Sequence, residues 1–224
     1  MTAVIAAAGS GERLGAGGPK AFVPLGGRPM VSWSLDACRA CGLVRAIVVA
    51  APAGLEHGLN DVVVVEGGAT RAESVANALA AVRTEYVAIH DAARPLLTAA
   101  LLEDLVAALA ADPEADAIIA AAPLHDTVKK VRVEFPSESN GNSTRVIRDT
   151  LDRSELWGAQ TPQVFRTAAL RAALDADVEA TDEAMLIEAA GGKVLIHDPG
   201  VPNLKITTAV DLRMAELLLA EREP

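Results

Sequence analysis

Cysteine is nearly absent from this 224-residue chain, with Cys38 and Cys41 standing alone. No second pair completes a tetrahedral site and no disulfide framework is implied, so a zinc module and a stapled secreted fold are both set aside. Two readings of the pair stay open: a redox Cys-x-x-Cys, or small side chains on the face of an alanine-rich helix. A reducing, cytoplasmic compartment is expected. Positive charge is scarce as well. Twenty Lys and Arg face thirty Asp and Glu, a formal charge of −10 without a long basic run, and an extended nucleic-acid backbone would be repelled overall. Small anions are not excluded, because a few cations gathered in one cleft outvote the net charge locally. Long hydrophobic runs are also missing. The stretch Ala3 to Ala8 ends at a glycine, has no basic region before it, and no apolar run approaches the roughly 18 residues of a membrane crossing. Neither export nor a membrane span is expected. What remains is a chain with 51% hydrophobic and 22% charged residues, the balance of a globular protein with a length suited to one α/β domain.

Short apolar, β-rich runs recur at Ala3 to Ala7, Ala46 to Ala50, Val62 to Val65, Tyr86 to His90, Ala117 to Ala121 and Val194 to His197. Between most of them, Ser32 to Cys41, Arg71 to Val82, Ala99 to Ala111, Thr167 to Leu174, Asp182 to Ala190 and Ala209 to Glu221 place Leu, Val and Ala on one helical face. Strands apolar along their whole length, alternating with helices, predict a mostly parallel sheet covered on both sides. One stretch breaks the rhythm. Residues 127–148 read as a strand-like segment, a polar tip with an Asn-Gly turn signal, and a second strand-like segment. A projecting β-hairpin follows, with a disordered surface loop as the alternative. Its flanks carry much charge and little core, so the hairpin is expected either to move or to pack on another subunit.

After the first run comes AAAGSGERLGAGGPK, Ala6 to Lys20. Glycines let successive backbone N–H groups point at a phosphate without interference from Cβ atoms. Gly9 and Gly11 fit a dinucleotide fingerprint, but Leu14 stands where its third glycine belongs, and Lys20 between Pro19 and Ala21 is not a P-loop lysine. A phosphate loop with two cations, Arg13 and Lys20, is left. The fourth run ends in HDAARP, so Asp91 and Arg94 emerge at the carboxyl end of a strand, the edge where open parallel sheets bind ligands. Asp91 suits a Mg²⁺ ion bridging phosphates, with a helix N-cap or a structural ion pair with Arg94 as the alternative. GGATRAES, Gly67 to Ser74, offers backbone N–H groups, Arg71 and Ser74 to a ligand. None of the four histidines has a carboxylate at a spacing that suggests a catalytic pair, and Asp182 and Glu183 read as acids at a helix start.

Seven motifs in order, the glycine loop with Pro19 and Lys20, Gly67 to Ser74, HDAARP, Asp126 and Thr127, Arg153 to Gln163, TDEA at 181–184 and NLKIT at 203–207, resemble those of the 2-C-methyl-D-erythritol 4-phosphate cytidylyltransferase family over essentially the whole chain. The resemblance implies a Rossmann-like nucleotidyltransferase sandwich, one domain over residues 1–224, with 127–148 as a dimerisation arm. By the same resemblance Ala7, Ala8, Gly9, Gly11, Gly68, Ser74 and Ala92 are cytidine and ribose contacts, and Arg13, Lys20 and Lys205 are the cations around the triphosphate. Asp91 is implied as the acid near Mg²⁺. Arg94, Thr127, Arg153 and Lys205 are implied around methylerythritol phosphate, with Thr127 and Arg153 reaching the neighbouring subunit's pocket in a homodimer. The arm tip, Pro136 to Ser143, follows no family pattern. The implied reaction needs no general base, since a phosphate monoester with a second pKa near ~6 is already mostly dianionic at neutral pH. A ribitol 5-phosphate cytidylyltransferase, a non-catalytic nucleotide-binding regulator and a nicotinamide dehydrogenase are the rival readings, the last disfavoured by Leu14 and by the lack of an obvious ribose-binding acid ending the second run.

Overall fold

A computed structural model describes residues 1–11, 14–15, 18–54, 58–134, 144–174 and 180–222. The first half runs β1 (Thr2–Ala6), β2 (Pro24–Leu25), β3 (Arg28–Pro29), α1 (Met30–Ala40), β4 (Ala46–Ala51), β5 (Val63–Glu66), α2 (Arg71–Leu79), β6 (Tyr86–Asp91) and α3 (Ala99–Ala111). The second runs β7 (Ala117–Pro123), β8 (Lys129–Glu134), β9 (Thr144–Thr150), β10 (Trp157–Arg166), α4 (Thr167–Leu174), α5 (Glu183–Ala189), β11 (Val194–His197) and α6 (Ala209–Ala220).

Seven strands form one sheet in the order β11-β7-β10-β6-β1-β4-β5. Its pairs are parallel except those of β10, which runs antiparallel to β6 and β7. Inner strands β4 and β7 are apolar along their length because both faces are covered. Ala3, Ile5, Ile47, Val49 and Ala88 point to one core with Leu35 and Cys38 of α1 and Leu101, Leu102, Leu105 and Leu109 of α3. Their neighbours Val4, Val48, Ala50, Val87 and Ile89 point the other way, into a core with Val75 and Leu79 of α2, Leu170 of α4 and Leu186 and Ile187 of α5. A third cluster gathers Leu25, Met30, Leu96, Ile206, Ala215 and Leu219 where α6 closes over the β2–β3 turn. Side-chain caps start several helices: Thr98 accepts from the Leu101 amide, and Thr70 and Thr208 form capping boxes with Glu73 and Asp211. Cys38 and Cys41 are free and buried, and burial pushes the Cys38 thiol up to about 12, so the helix-face reading of the pair fits and a reactive thiolate does not.

WGAQTPQVFR carries a glycine and a proline and reads as no strand, yet it forms β10 in the middle of the sheet. Its register with β7 shifts between Ala159 and Gln163, and Pro162, which has no N–H to donate, falls in that gap after a cis Thr161–Pro162 bond. Residues 129–134 and 144–150 form the hairpin as a separate two-stranded antiparallel sheet. Every residue of β8 is exposed, and so are Val131, Val133 and Ile147. The tip, 135–143, lies outside the described residues.

Candidate active site

The carboxyl ends of β1, β5 and β6 are drawn out by further main-chain bonds, Ala7 N–H to Ala50 at 2.9 Å, Gly67 N–H to Ala51 at 2.8 Å and Ala92 N–H to Ala6 at 3.1 Å. Three loops therefore leave the sheet side by side. The first returns on itself: Gly11 has φ +77°, a left-handed conformation that favours glycine, and the Lys20 amide donates to the Gly9 carbonyl at 3.1 Å. The second packs against the first so closely that a Cβ on Gly67 would stand 2.3 Å from Cβ of Ala8. Ser74 braces this turn, its Oγ accepting from the Gly68 amide at 3.0 Å and donating to the Thr70 carbonyl at 2.8 Å.

Between the loops lies a cavity of about 690 Å³, a size suited to a nucleotide-class ligand. Ala7, Ala8, Gly9, Gly11, Gly68, Ser74, Asp91, Ala92, Lys20 and Lys205 all line it, together with Arg71 and Thr207. Arg13 lies outside the described residues. Arg94 is not among the lining residues. Its Nη1 donates to the Asn203 carbonyl at 2.6 Å, which fastens the NLKIT segment to the β6 edge. Thr127 and Arg153 stand apart at the root of the hairpin, both exposed, and Arg153 donates to the His125 carbonyl.

Charge at the cavity floor is organised around Asp91. Oδ1 accepts from Nε of Arg71 at 3.0 Å and Oδ2 from Nζ of Lys205 at 2.6 Å. Behind Arg71, the carboxylate of Glu183 takes its Nη1 on both oxygens, at 2.6 and 2.8 Å. Burial works against the Asp91 charge, but Arg71 and Lys205 outweigh it and hold the carboxyl well below the usual range. Burial pushes the Glu183 carboxyl up against the pull of Arg71. Glu183 and Asp91 in turn raise Arg71 despite its own burial, so it stays charged. An ion pair of Asp91 is thus present, with Arg71 and Lys205 as partners in place of Arg94. The reading of Glu183 as only a helix-start acid misses its burial and its partner. The one sequence signal was its place in TDEA.

His90 holds the same strand end from within. Its Nε2 lies 3.0 Å from the Arg94 carbonyl, which can only accept, so Nδ1 is the free lone pair and takes the Thr161 hydroxyl at 3.1 Å. Thr161 Oγ1 then accepts the Asp91 amide at 3.0 Å. Burial lowers His90 to about 4 and keeps it neutral. It supports Asp91 and offers no base to the cavity. For a metal, among the described residues Asp91 is the only carboxylate on the lining, and no group of three or more His, Cys, Asp or Glu is assembled.

A protein-family model described as 2-C-methyl-D-erythritol 4-phosphate cytidylyltransferase matches residues 1–221. The protein of that name from Parasynechococcus marenigrum is 41% identical, spanning 100% of this chain and 99% of its own length. Its counterpart from Nocardia farcinica is 43% identical, spanning 99% and 95%. The crystal structure of 2-C-methyl-D-erythritol 4-phosphate cytidylyltransferase from Thermus thermophilus aligns with a TM-score of 0.76 at 32% identity, over 97% of this chain and 98% of that one.

Proposed function

This chain belongs to the 2-C-methyl-D-erythritol 4-phosphate cytidylyltransferase family, and we propose that the cavity at the sheet edge is where it joins that phosphate to CTP. The enzyme is a nucleotidyltransferase: it transfers the cytidylyl group of CTP to 2-C-methyl-D-erythritol 4-phosphate. A phosphate oxygen of the acceptor attacks the α-phosphorus in line, the new O–P bond forms, the bond to the bridging oxygen breaks, and pyrophosphate leaves with that electron pair. No proton has to be removed from a dianionic attacking phosphate, which agrees with a cavity whose nearest histidine is neutral and turned away. The task left to the protein is to hold two anions together and to stabilise charge on the α-phosphoryl oxygens and the leaving group. One observation carries this reading: Lys20 and Lys205, far apart in sequence, line the same cavity as the glycine loop.

Lys20, with Arg13, stabilises the α-phosphoryl group and pyrophosphate. Ala7, Ala8, Gly9, Gly11, Gly68, Ser74 and Ala92 form the wall for cytosine and ribose. Lys205 grips the incoming phosphate once it leaves Asp91. Mg²⁺ fits the donor set, because it prefers one or two carboxylates plus substrate oxygens to an all-protein cage; Asp91 would hold it, and it would supply charge neutralisation for the phosphates. The hairpin 127–148 joins two copies in a homodimer, and Thr127 and Arg153 complete the partner's cavity around the acceptor, while Arg94 supports the segment that carries Lys205. The exposed Val131, Val133 and Ile147 support this arm role, which light scattering checks: a monomer with full activity contradicts it. Two free buried cysteines suit a reducing cytoplasm.

Pyrophosphate release, measured with CTP, ATP, GTP and UTP against methylerythritol phosphate and ribitol 5-phosphate, tests base and acceptor together. CTP with methylerythritol phosphate is the expected pair. A preference for ribitol phosphate, or CTP binding without turnover, overturns the reading.

A further inference from the structure

Glu183 does not line the cavity, yet it is the most deeply buried member of the charge cluster there, its side chain 3% exposed against 11% for Asp91, 29% for Arg71 and 42% for Lys205. A carboxylate in such a place is costly to desolvate, and an apolar side chain of similar volume would serve packing at least as well. What the charge does is local. Both Glu183 oxygens are given to one nitrogen, Nη1 of Arg71, and this fixes the plane of the guanidinium so that Nε meets Oδ1 of Asp91. Its own position is set by neighbours in sequence and space: Asp182 caps α5 by accepting from the Met185 amide and takes Nε2 of Gln163, from β10, at 2.9 Å.

The sign of the cluster follows from the same contacts. Arg71 and Lys205 are balanced by Asp91 and Glu183, so the four groups are neutral together. Without the Glu183 charge, Asp91 would stand alone between two cations, and the freed Nη1 of Arg71 would compete for the Asp91 oxygens that face the cavity. We propose that Glu183 is a positioning residue of the reaction: by engaging Nη1 of Arg71 it leaves only Nε on Oδ1 of Asp91 and keeps that carboxylate in one orientation for the phosphate end of the nucleotide. This rests on the cytidylyltransferase reading, since it concerns what Asp91 is positioned for.

The isosteric Glu183→Gln keeps shape and one acceptor but removes the charge, while Glu183→Asp keeps the charge on a shorter arm. If charge and geometry both matter, kcat for pyrophosphate release falls by about tenfold or more in the Gln variant. The number of CTP sites per chain, read by isothermal titration, stays at the wild-type value, and Asp recovers part of the loss. In the unliganded protein the Arg71 Nε–H signal, assigned by its loss in Arg71→Lys, exchanges with water about tenfold faster in the Gln variant than in the wild type, as expected when its bracing partner weakens. A Gln variant equal to wild type in kcat and in Nε–H exchange overturns the proposal. So does a fall in kcat matched by an equal fall in CTP sites, which marks unfolding alone. A wild-type protein that releases no pyrophosphate from CTP refutes the functional reading instead, and the exchange measurement still decides the clamp.

Discussion

Two arginine–glutamate pairs in this molecule have nearly the same length. Arg71 and Glu183 meet at 2.6 Å behind the cavity, and Arg132 and Glu134 at 2.7 Å on the hairpin. The side chains of the first pair are 29% and 3% exposed, those of the second 63% and 48%. On the hairpin, water and salt screen the charges and holding two long side chains together costs entropy, so the pair contributes little. At the cavity floor Glu183 cannot be solvated if Arg71 is taken away. Distance alone therefore says little about which contacts the fold and the chemistry depend on, and burial separates them.

The sharpest way to break the comparison is to remove one partner on each side. Arg71→Met strands two carboxylates against Lys205, and urea denaturation is expected to show a loss of about 3–5 kcal/mol. Protonating the buried His90 comes next. Its pKa falls from an unfolded value of about 6.5 to about 4, so the unfolded chain binds the extra proton between those values. The stability this contributes is complete above pH 6.5 and disappears as pH drops toward 4, by about 3 kcal/mol. His90→Gln should flatten that part of the pH–stability curve, and an unchanged curve contradicts the assignment. For activity, Lys20→Ala is expected to lower kcat by about 10²-fold or more, near 2.7 kcal/mol of transition-state stabilisation, with near-normal turnover as the opposing result. Smallest is Glu134→Gln on the hairpin, where the midpoint of unfolding should move by less than about 0.5 kcal/mol.

The sheet was legible because its strands are buried on both faces and so are written as unbroken apolar runs, Ala46 to Ala51 being the plainest. Helix ends were legible to within a residue or three for the same reason, since the apolar stripe of α3 stops where the chain leaves the sheet. β10 was hidden by Gly158 and Pro162, which argue against a central strand unless the register shift that accommodates them is already known. The glycine loop and Asp91 could be read because each follows directly on a strand end. The cluster behind them could not, because Glu183 reaches Arg71 across 112 positions and Lys205 reaches Asp91 across 114. Spacing rules see helix neighbours and strand neighbours, while these partners are brought together only by the order of strands in the sheet.

The central claim is that a net-negative protein brings Lys20, Arg71 and Lys205 together at one sheet edge to let two phosphorylated reactants meet. A crystal structure with a non-hydrolysable CTP analogue and Mg²⁺ tests it most directly. The account predicts the triphosphate between Lys20 and the Asp91–Lys205 edge, with cytosine against Gly68 and Ser74. A nucleotide bound elsewhere on the molecule, or one whose phosphates leave both lysines unengaged, contradicts it.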